Sequence, residues 1–338
     1  MRCWSFEDGF GLENLRLVAR ETPVPGPRDV VLGMRAASLN YRDLVVMRGQ
    51  HGRDVVPPLV PLSDGVGVVT AAGAEVTGIG QGDRVCPTFF RHWPAGTPPA
   101  DLAAGRLGGP LDGVLATHVV APADAVVRAP EHLSDAEAAT LPCAGVTAWS
   151  ALSEPAPVRP GETVLVMGSG GVALFAVQLA RMMAARVIAT TSSTERAARL
   201  AALGAHHVID RSAEPDWARA VRAATGGAGV DRVLELGGAA TLADAIRCVR
   251  TGGTILLIGN VTGNRAELFL PAVLTRRLTL RAVTVGPRQA FETLAQAMAQ
   301  HAMRPVVGQV LPFEDAPRAF ASLERGETFG KICITIAD

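Results

Sequence analysis

Gly168-Ser169-Gly170-Gly171-Val172 constrains this chain more than any other stretch. Thr163 to Met167 before it is a short, β-branched apolar run with the character of a buried strand. Ala173 to Ala180 after it is rich in helix formers. A glycine turn therefore joins a strand to a helix. Gly168, Gly170 and Ala173 fit G-x-G-x-x-A, one form of the dinucleotide-binding fingerprint. The first glycine permits a tight turn, the second lets the backbone approach a pyrophosphate, and the small third residue lets helix and strand pack. The helix start then offers N–H groups and a positive dipole end to phosphate. The plainer alternative is a structural turn, and the strand–turn–helix context favours the fingerprint.

The rest of the chain arranges itself around that turn. The first third holds short β-like runs, Val30 to Ala37, Gly67 to Ala72 and Gly113 to Val120, separated by turn signals such as Pro25-Gly26-Pro27 and Gly82-Asp83. Between Pro87 and Pro110 lies a loop with Phe89, Phe90 and Trp93. A long loop holding aromatics is often functional; the alternative is a loop packed on its own domain. From about Ala129 helical stretches alternate with short apolar strands. Strands are expected at 164–167, 187–190, 207–209, 232–236, 254–258 and 278–285, and helices at 194–203 and 242–249. That alternation means βαβ units and a parallel sheet. The last stretch returns to helix and then β character at Lys331 to Ile336. The expected plan is an α/β chain with a discontinuous β-rich domain, residues 1–127 and 286–338, around a nucleotide-binding domain, residues 128–285.

Composition narrows the function. Lys plus Arg and Asp plus Glu both total 32, so a polyanion partner is disfavoured, because nucleic-acid binders carry a basic excess. Neither an apolar signal core near Met1 nor a bilayer-length apolar run is present. The five scattered cysteines, with no C-x-x-C pair, suit a reduced cytosolic protein. No histidine or cysteine shows zinc-ligand spacing.

The second strand of the parallel sheet indicates which dinucleotide. An NAD site places a carboxylate at that strand end. Here the strand runs into Thr190-Thr191-Ser192-Ser193-Thr194, and the first acid is Glu195. Ser192 to Glu195 reads as a capping box for the next helix. Hydroxyls at Thr191, Ser192 and Ser193, with Arg196 following and Arg211 past the third strand, suit the extra phosphate of NADP. The alternative for each arginine is a solvated surface charge.

Several motifs occur in one order: Leu39-Asn40-Tyr41-Arg42-Asp43, Ser63-Asp64-Gly65-Val66-Gly67, Gly80-Gln81-Gly82-Asp83-Arg84-Val85, Leu141-Pro142-Cys143-Ala144-Gly145-Val146-Thr147, the glycine turn and Phe329-Gly330-Lys331-Ile332. On these the chain resembles the medium-chain dehydrogenase/reductase superfamily over nearly its full length. The resemblance implies a GroES-like β domain plus a Rossmann doubly wound parallel sheet, and a homodimer paired through the last sheet strand near Leu278 to Val285. It implies cofactor contacts at Gly168, Ser169, Gly170, Gly171 and Val172, at the second-strand residues, and at Thr147, Gly237, Ile258 and Lys331. Zinc alcohol dehydrogenases of the superfamily carry a cysteine, a histidine and a second cysteine as ligands. This chain is expected to hold Asn40, Ser63 and Ala144 there, and the 87–110 loop has no cysteine for a structural zinc. It therefore resembles the zinc-free quinone oxidoreductase and enoyl reductase branch, which uses NADPH.

Without a Lewis acid an isolated ketone is hard to reduce, whereas a conjugated acceptor spreads the developing charge so that hydrogen bonds can suffice. Asn40, Tyr41 and Asp43 are the expected catalytic residues. The plainer readings are a helix cap for Asn40 and Asp43 and an interface role for Tyr41. The substrate expected is small, apolar or planar, against Tyr41, Phe89, Phe90 and Trp93. A zinc-type alcohol dehydrogenase and an NADPH-binding structural or RNA-associated protein are the alternatives.

Overall fold

The computed structural model describes residues 1–336. The chain divides into two compact units, residues 1–146 with 285–336, and residues 147–284. The first boundary thus falls at Val146, later than the expected 127. Helix α2 (Asp135–Ala138), reached after the first seven strands, is the reason: it packs on strands of the first unit, so the 129–146 segment stays there.

The first unit is β-rich. Strands β1 (Arg2–Phe6) and β2 (Leu15–Ala19) form an antiparallel pair. Then follow β3 (Asp29–Ser38), helix α1 (Tyr41–Met47), β4 (Asp64–Ala72), β5 (Arg84–Pro87), β6 (His118–Pro122) and β7 (Val126–Arg128). The expected run from Gly113 starts as a strand only at His118. Its first residues instead bond irregularly, Gly113 N–H to the Val60 carbonyl and Val114 N–H to the Leu62 carbonyl, and a Cβ on Gly113 would lie 2.0 Å from the Leu62 oxygen. Backbone crowding of that kind replaces a ladder.

The second unit opens in helix α3 (Val146–Ser153) and alternates strand with helix: β8 (Thr163–Met167), α4 (Gly171–Met182), β9 (Arg186–Thr191), α5 (Thr194–Ala202), β10 (His207–Asp210), α6 (Trp217–Ala224), β11 (Val230–Glu235), α7 (Leu242–Cys248), β12 (Val249–Leu257), α8 (Leu270–Thr275) and β13 (Thr279–Ala282). All pairings are parallel, in the order β10-β9-β8-β11-β12-β13. This is the doubly wound Rossmann order, with the chain reversing direction across the sheet between β8 and β11. Ligands of such sheets bind outside the strands' carboxyl ends at that reversal. Strand β13 is shorter than the run 278–285, because Val285 adopts φ 51° and turns the chain away.

The chain then returns to the first unit through α9 (Arg288–Gln300), β14 (Val307–Pro312), α10 (Ala316–Arg325) and β15 (Lys331–Thr335). Strand β15 pairs β3 antiparallel, Ile334 opposite Ala37. The sheet order becomes β14-β15-β3-β4-β5-β7, with β6 also on β3. Phe6, Leu32, Leu59, Phe313 and Phe320 are among the side chains filling its core. Among the described residues no helix is long and apolar enough to cross a membrane.

Candidate active site

In the second unit the glycine turn lies where the fingerprint requires it. Gly168 has φ +89°, a left-handed conformation that glycine adopts without strain. A Cβ built on Gly168 or Gly170 would meet no atom within 4 Å, so the space above the turn is open. Helix α4 starts there with Gly170 as its N-cap and no side-chain cap, which leaves first-turn N–H groups for an anion. Ser169, Gly171 and Val172 complete the turn.

The neighbouring strand ends converge on the same edge of the sheet. Thr191 closes β9, and its carbonyl accepts the Arg211 N–H at 2.7 Å. Ser193 N–H donates to Thr191 Oγ1 at 3.3 Å. Ser193, not Ser192, is the N-cap of α5, its hydroxyl accepting the Arg196 N–H at 3.4 Å. The expected capping box is therefore shifted by one: position N3 is Arg196, and Glu195 is left as a first-turn acid that favours the helix dipole. Arg196 Nη1 donates to Ser169 Oγ at 3.4 Å, tying the second strand end to the glycine turn. Arg211 keeps a buried Nε with no hydrogen-bond partner among the described residues. Gly237 follows β11 and Ile258 follows β12. The buried Glu235 carboxylate, which the sequence did not single out, orders this edge: it accepts from Gly237 N–H at 2.9 Å, Gly238 N–H at 2.8 Å and Thr241 Oγ1 at 2.7 Å. Thr147 is buried near the start of the unit in α3.

The first unit holds a different constellation. Asn40 caps α1 and its N–H donates to Asp43 Oδ2 at 2.7 Å. Asp43 Oδ1 lies 3.2 Å from Arg42 Nη1. Burial pushes the Asp43 carboxyl up to about 6, against the pull of Arg42 and the Asn40 N–H. The capping reading of Asp43 is thus realised in the structure. Asp64 and Cys143, unassigned from sequence, join the group: Ser63 Oγ donates to Asp64 Oδ1 at 2.6 Å, and Cys143 N–H to Asp64 Oδ2 at 3.0 Å. Burial also raises the Asp64 carboxyl, opposed first by Lys331. Burial, and then the Asp64 charge, push the Cys143 thiol up. The charges of Asp64, Lys331, Arg42 and Asp43 all act on Cys143.

Lys331 belongs to the first unit. Assigned from sequence to the cofactor, it is buried on β15 with its ammonium bonded to the Leu39 carbonyl and, at 2.5 Å, to Asn40 Oδ1. Two of the three ammonium donors are thereby engaged inside the first unit. Tyr41 is exposed on α1. The aromatic loop divides: Phe89 and Phe90 are buried, Phe90 stacks edge-on to Trp93 at 5.8 Å, and Arg42 lies 5.2 Å over the Phe89 ring. Phe90 and Trp93 pack against each other within that loop.

Residues 26–131 match the alcohol dehydrogenase GroES-like domain, and residues 171–300 the zinc-binding dehydrogenase domain. The chain belongs to the medium-chain dehydrogenase/reductase superfamily. As such it is an oxidoreductase with a nicotinamide cofactor. A zinc-type alcohol dehydrogenase-like protein of Schizosaccharomyces pombe is 37% identical over 96% of each chain. The crystal structure of a putative alcohol dehydrogenase from Sinorhizobium meliloti superposes with a TM-score of 0.93 at 41% identity, covering 99% of this chain and 98% of that one. Acryloyl-coenzyme A reductase of Metallosphaera sedula is 29% identical over 93% of this chain and 94% of its own.

Zinc is implied by the description of one matching domain, and the donor set does not fit it. The expected ligand positions hold the Asn40 amide, the Ser63 hydroxyl and the Ala144 methyl, and an ammonium already binds the amide oxygen. Among the described residues no three His, Cys, Asp or Glu side chains gather as ligands.

Proposed function

We propose that this medium-chain reductase uses NADPH, without zinc, to reduce a conjugated C=C or a quinone. The observation that carries the reading is the Lys331 ammonium on Asn40 Oδ1. A divalent cation coordinated at that carboxamide would meet an internal positive charge at contact distance. Carbonyl polarisation then falls to hydrogen bonds, which suit an acceptor that delocalises its charge.

The cofactor preference rests on the second strand end. When bound, NADPH supplies the hydride. Thr191, Ser192, Ser193, Arg196 and Arg211 offer hydroxyls and two guanidinium groups to a 2′-phosphate, and β9 itself ends without an acid, while Asp210 at the end of β10 is bonded by the Thr194 and Ser212 hydroxyls. Gly168 to Val172 and the open start of α4 take the pyrophosphate. The kinship with acryloyl-coenzyme A reductase, whose name describes a conjugated thioester substrate, favours a small activated alkene. The zinc-type label of the Schizosaccharomyces relative favours a metal-dependent alcohol dehydrogenase as the second reading.

Two measurements on one preparation decide between them. Elemental analysis should find no stoichiometric zinc. NADPH oxidation should be fast with quinones, enones or enoyl thioesters and slow with simple ketones. Activity confined to saturated ketones or alcohols, or a stoichiometric metal, would overturn the proposal.

We also propose a homodimer. Strand β13 is the sheet's edge, and Phe269, Leu270 and Leu274 beside it are strongly exposed. An uncovered apolar edge is an aggregation hazard unless paired, and a two-fold partner pairs it in closed fashion.

A further inference from the structure

Glu235 closes β11 as a buried carboxylate, at 1% exposure. Its Oε1 accepts from Gly237 N–H and Thr241 Oγ1, and its Oε2 from Gly238 N–H. These three donors are neutral, and among the described residues no cation pairs with the carboxylate. A buried charge held by neutral groups alone is costly where a neutral acceptor could stand.

Holding this edge together does not require the charge. The loops after β11 and β12 are stitched by bonds that leave the carboxylate out. Ile258 and Gly259 N–H donate to the Glu235 backbone carbonyl at 2.9 and 3.1 Å. Thr262 N–H donates to the Gly237 carbonyl at 2.8 Å, and Ala239 N–H to the Gly263 carbonyl at 3.3 Å. Thr262 Oγ1 donates to the Gly237 carbonyl at 2.9 Å and accepts the Ala240 N–H at 3.0 Å. Glycine lets the two loops touch: a Cβ on Gly259 would lie 2.1 Å from the Leu236 oxygen. The carboxylate stands behind this plate of fixed backbone with its charge uncompensated.

Its place in the sheet gives the charge a target. Strands β10, β9 and β8 form one half of the sheet, and β11, β12 and β13 the other, across the reversal. In a doubly wound sheet each half takes one mononucleotide, with the pyrophosphate at the glycine turn between them. With the adenosine ribose read at the end of β9, the nicotinamide side falls to the carboxyl ends of β11 and β12. Glu235 and both loops lie in the second unit, as does the glycine turn. Hydride donation changes the charge on that side by one, from a neutral dihydropyridine ring to a pyridinium cation.

We propose that Glu235 is a fixed counter-charge for the oxidised nicotinamide: acting through space, it favours the pyridinium over the neutral reduced ring and so makes the bound reduced cofactor a better hydride donor. No contact with the ring is needed, which a buried carboxylate could not make. The inference rests on the nicotinamide reading of the second unit, and on neither the hydride acceptor nor the 2′-phosphate. A unit charge about 10 Å away, at an effective dielectric constant of about 20, changes an affinity about tenfold.

Calorimetric titration of NADP+ and NADPH into wild type, Glu235→Gln and Glu235→Asp tests this. Glutamine matches the shape, and its Oε1 retains acceptors for Gly237 N–H and Thr241 Oγ1. Glu235→Gln should weaken NADP+ about tenfold more than NADPH. Glu235→Asp keeps the charge, so its ratio of the two Kd values should stay within about threefold of wild type. The Glu235→Gln shift should persist in about 0.5 M salt, because a buried charge is screened little. A loop-organising role alone would weaken both forms alike, so equal losses or an unchanged ratio would overturn the proposal. NAD+ and NADH should show the same relative shift. If that pair binds wild type as tightly as the phosphorylated pair, the preference for NADPH falls while the shift still decides the role of Glu235. Should Glu235→Gln fail to fold, Thr241→Val gives the converse test, since it removes a donor and leaves the charge. It should lower the thermal midpoint and hold the ratio within about twofold; a tenfold change in the ratio there would overturn the proposal, because it would arise with the charge in place.

Discussion

Replacing Arg196 by alanine tests the proposed preference for NADPH over NADH. Arg196 sits in the first turn of α5, and its Nη1 donates to Ser169 Oγ at 3.4 Å. The guanidinium therefore lies between the second strand end and the glycine turn, where the 2′-phosphate of NADPH would stand. A charge-assisted hydrogen bond is worth about 1.5–3 kcal/mol. Its loss should weaken NADPH about 10–150-fold, at about 1.4 kcal/mol per decade. NADH lacks the phosphate, so its Kd should stay within about twofold. Alanine is a better helix former than arginine, and the N-cap hydroxyl of Ser193 bonds the backbone of residue 196, not its side chain. The variant should thus keep its thermal midpoint. Fluorescence titration with each cofactor reads both affinities. The wild-type preference should also shrink as salt rises, because an accessible ion pair is screened. Equal weakening of NADH and NADPH would refute the reasoning, as it would mean that Arg196 supports the shared part of the cofactor.

Other outcomes follow from the same structure. Phe269→Glu with Leu274→Glu should convert a dimer to a monomer by light scattering at micromolar concentration; a wild type already monomeric would remove the premise. Burial, Arg42 and Arg106 hold the His51 imidazole down at about 4. Its folded value lies below the ordinary 6.5, so the folded state binds fewer protons there. The stability it contributes is present above pH 6.5 and lost as pH falls toward 4, by about 2 kcal/mol after allowance for partial exposure. His51→Gln should flatten that part of the urea-midpoint profile, and an unchanged profile would argue against it. Glu235→Ala leaves the Gly237 and Gly238 N–H groups without their acceptor. It should cost about 2–5 kcal/mol, read by denaturant unfolding, whereas a loss below 0.5 kcal/mol would show that water replaces the carboxylate.

The sequence by itself determined the local units and their order. T-V-L-V-M, the glycine turn and A-L-F-A-V-Q-L-A became β8, its turn and α4, because each rests on residues within a few positions of one another. The hydroxyls and arginines after β9 were readable for the same reason: strand ends in a parallel α/β sheet fall on one edge whatever the side chains do. Cap placement was legible only to within a residue, as the shift from Ser192 to Ser193 shows.

What only the tertiary structure decided is which distant residues share a buried space. Lys331 and Asn40 stand 291 positions apart, and no periodicity relates them. Their contact exists because β15 returns from the far end of the chain to pair with β3. Asp64 and Cys143 join the same cluster across 79 positions. Phe90 and Trp93 show the converse: the aromatic residues were legible, but whether they lined a pocket or packed their own loop depended on the backbone path. Local pattern is written in neighbouring residues, while burial and charge pairing are properties of the closed fold, where an ammonium is compelled to find oxygens because water is gone.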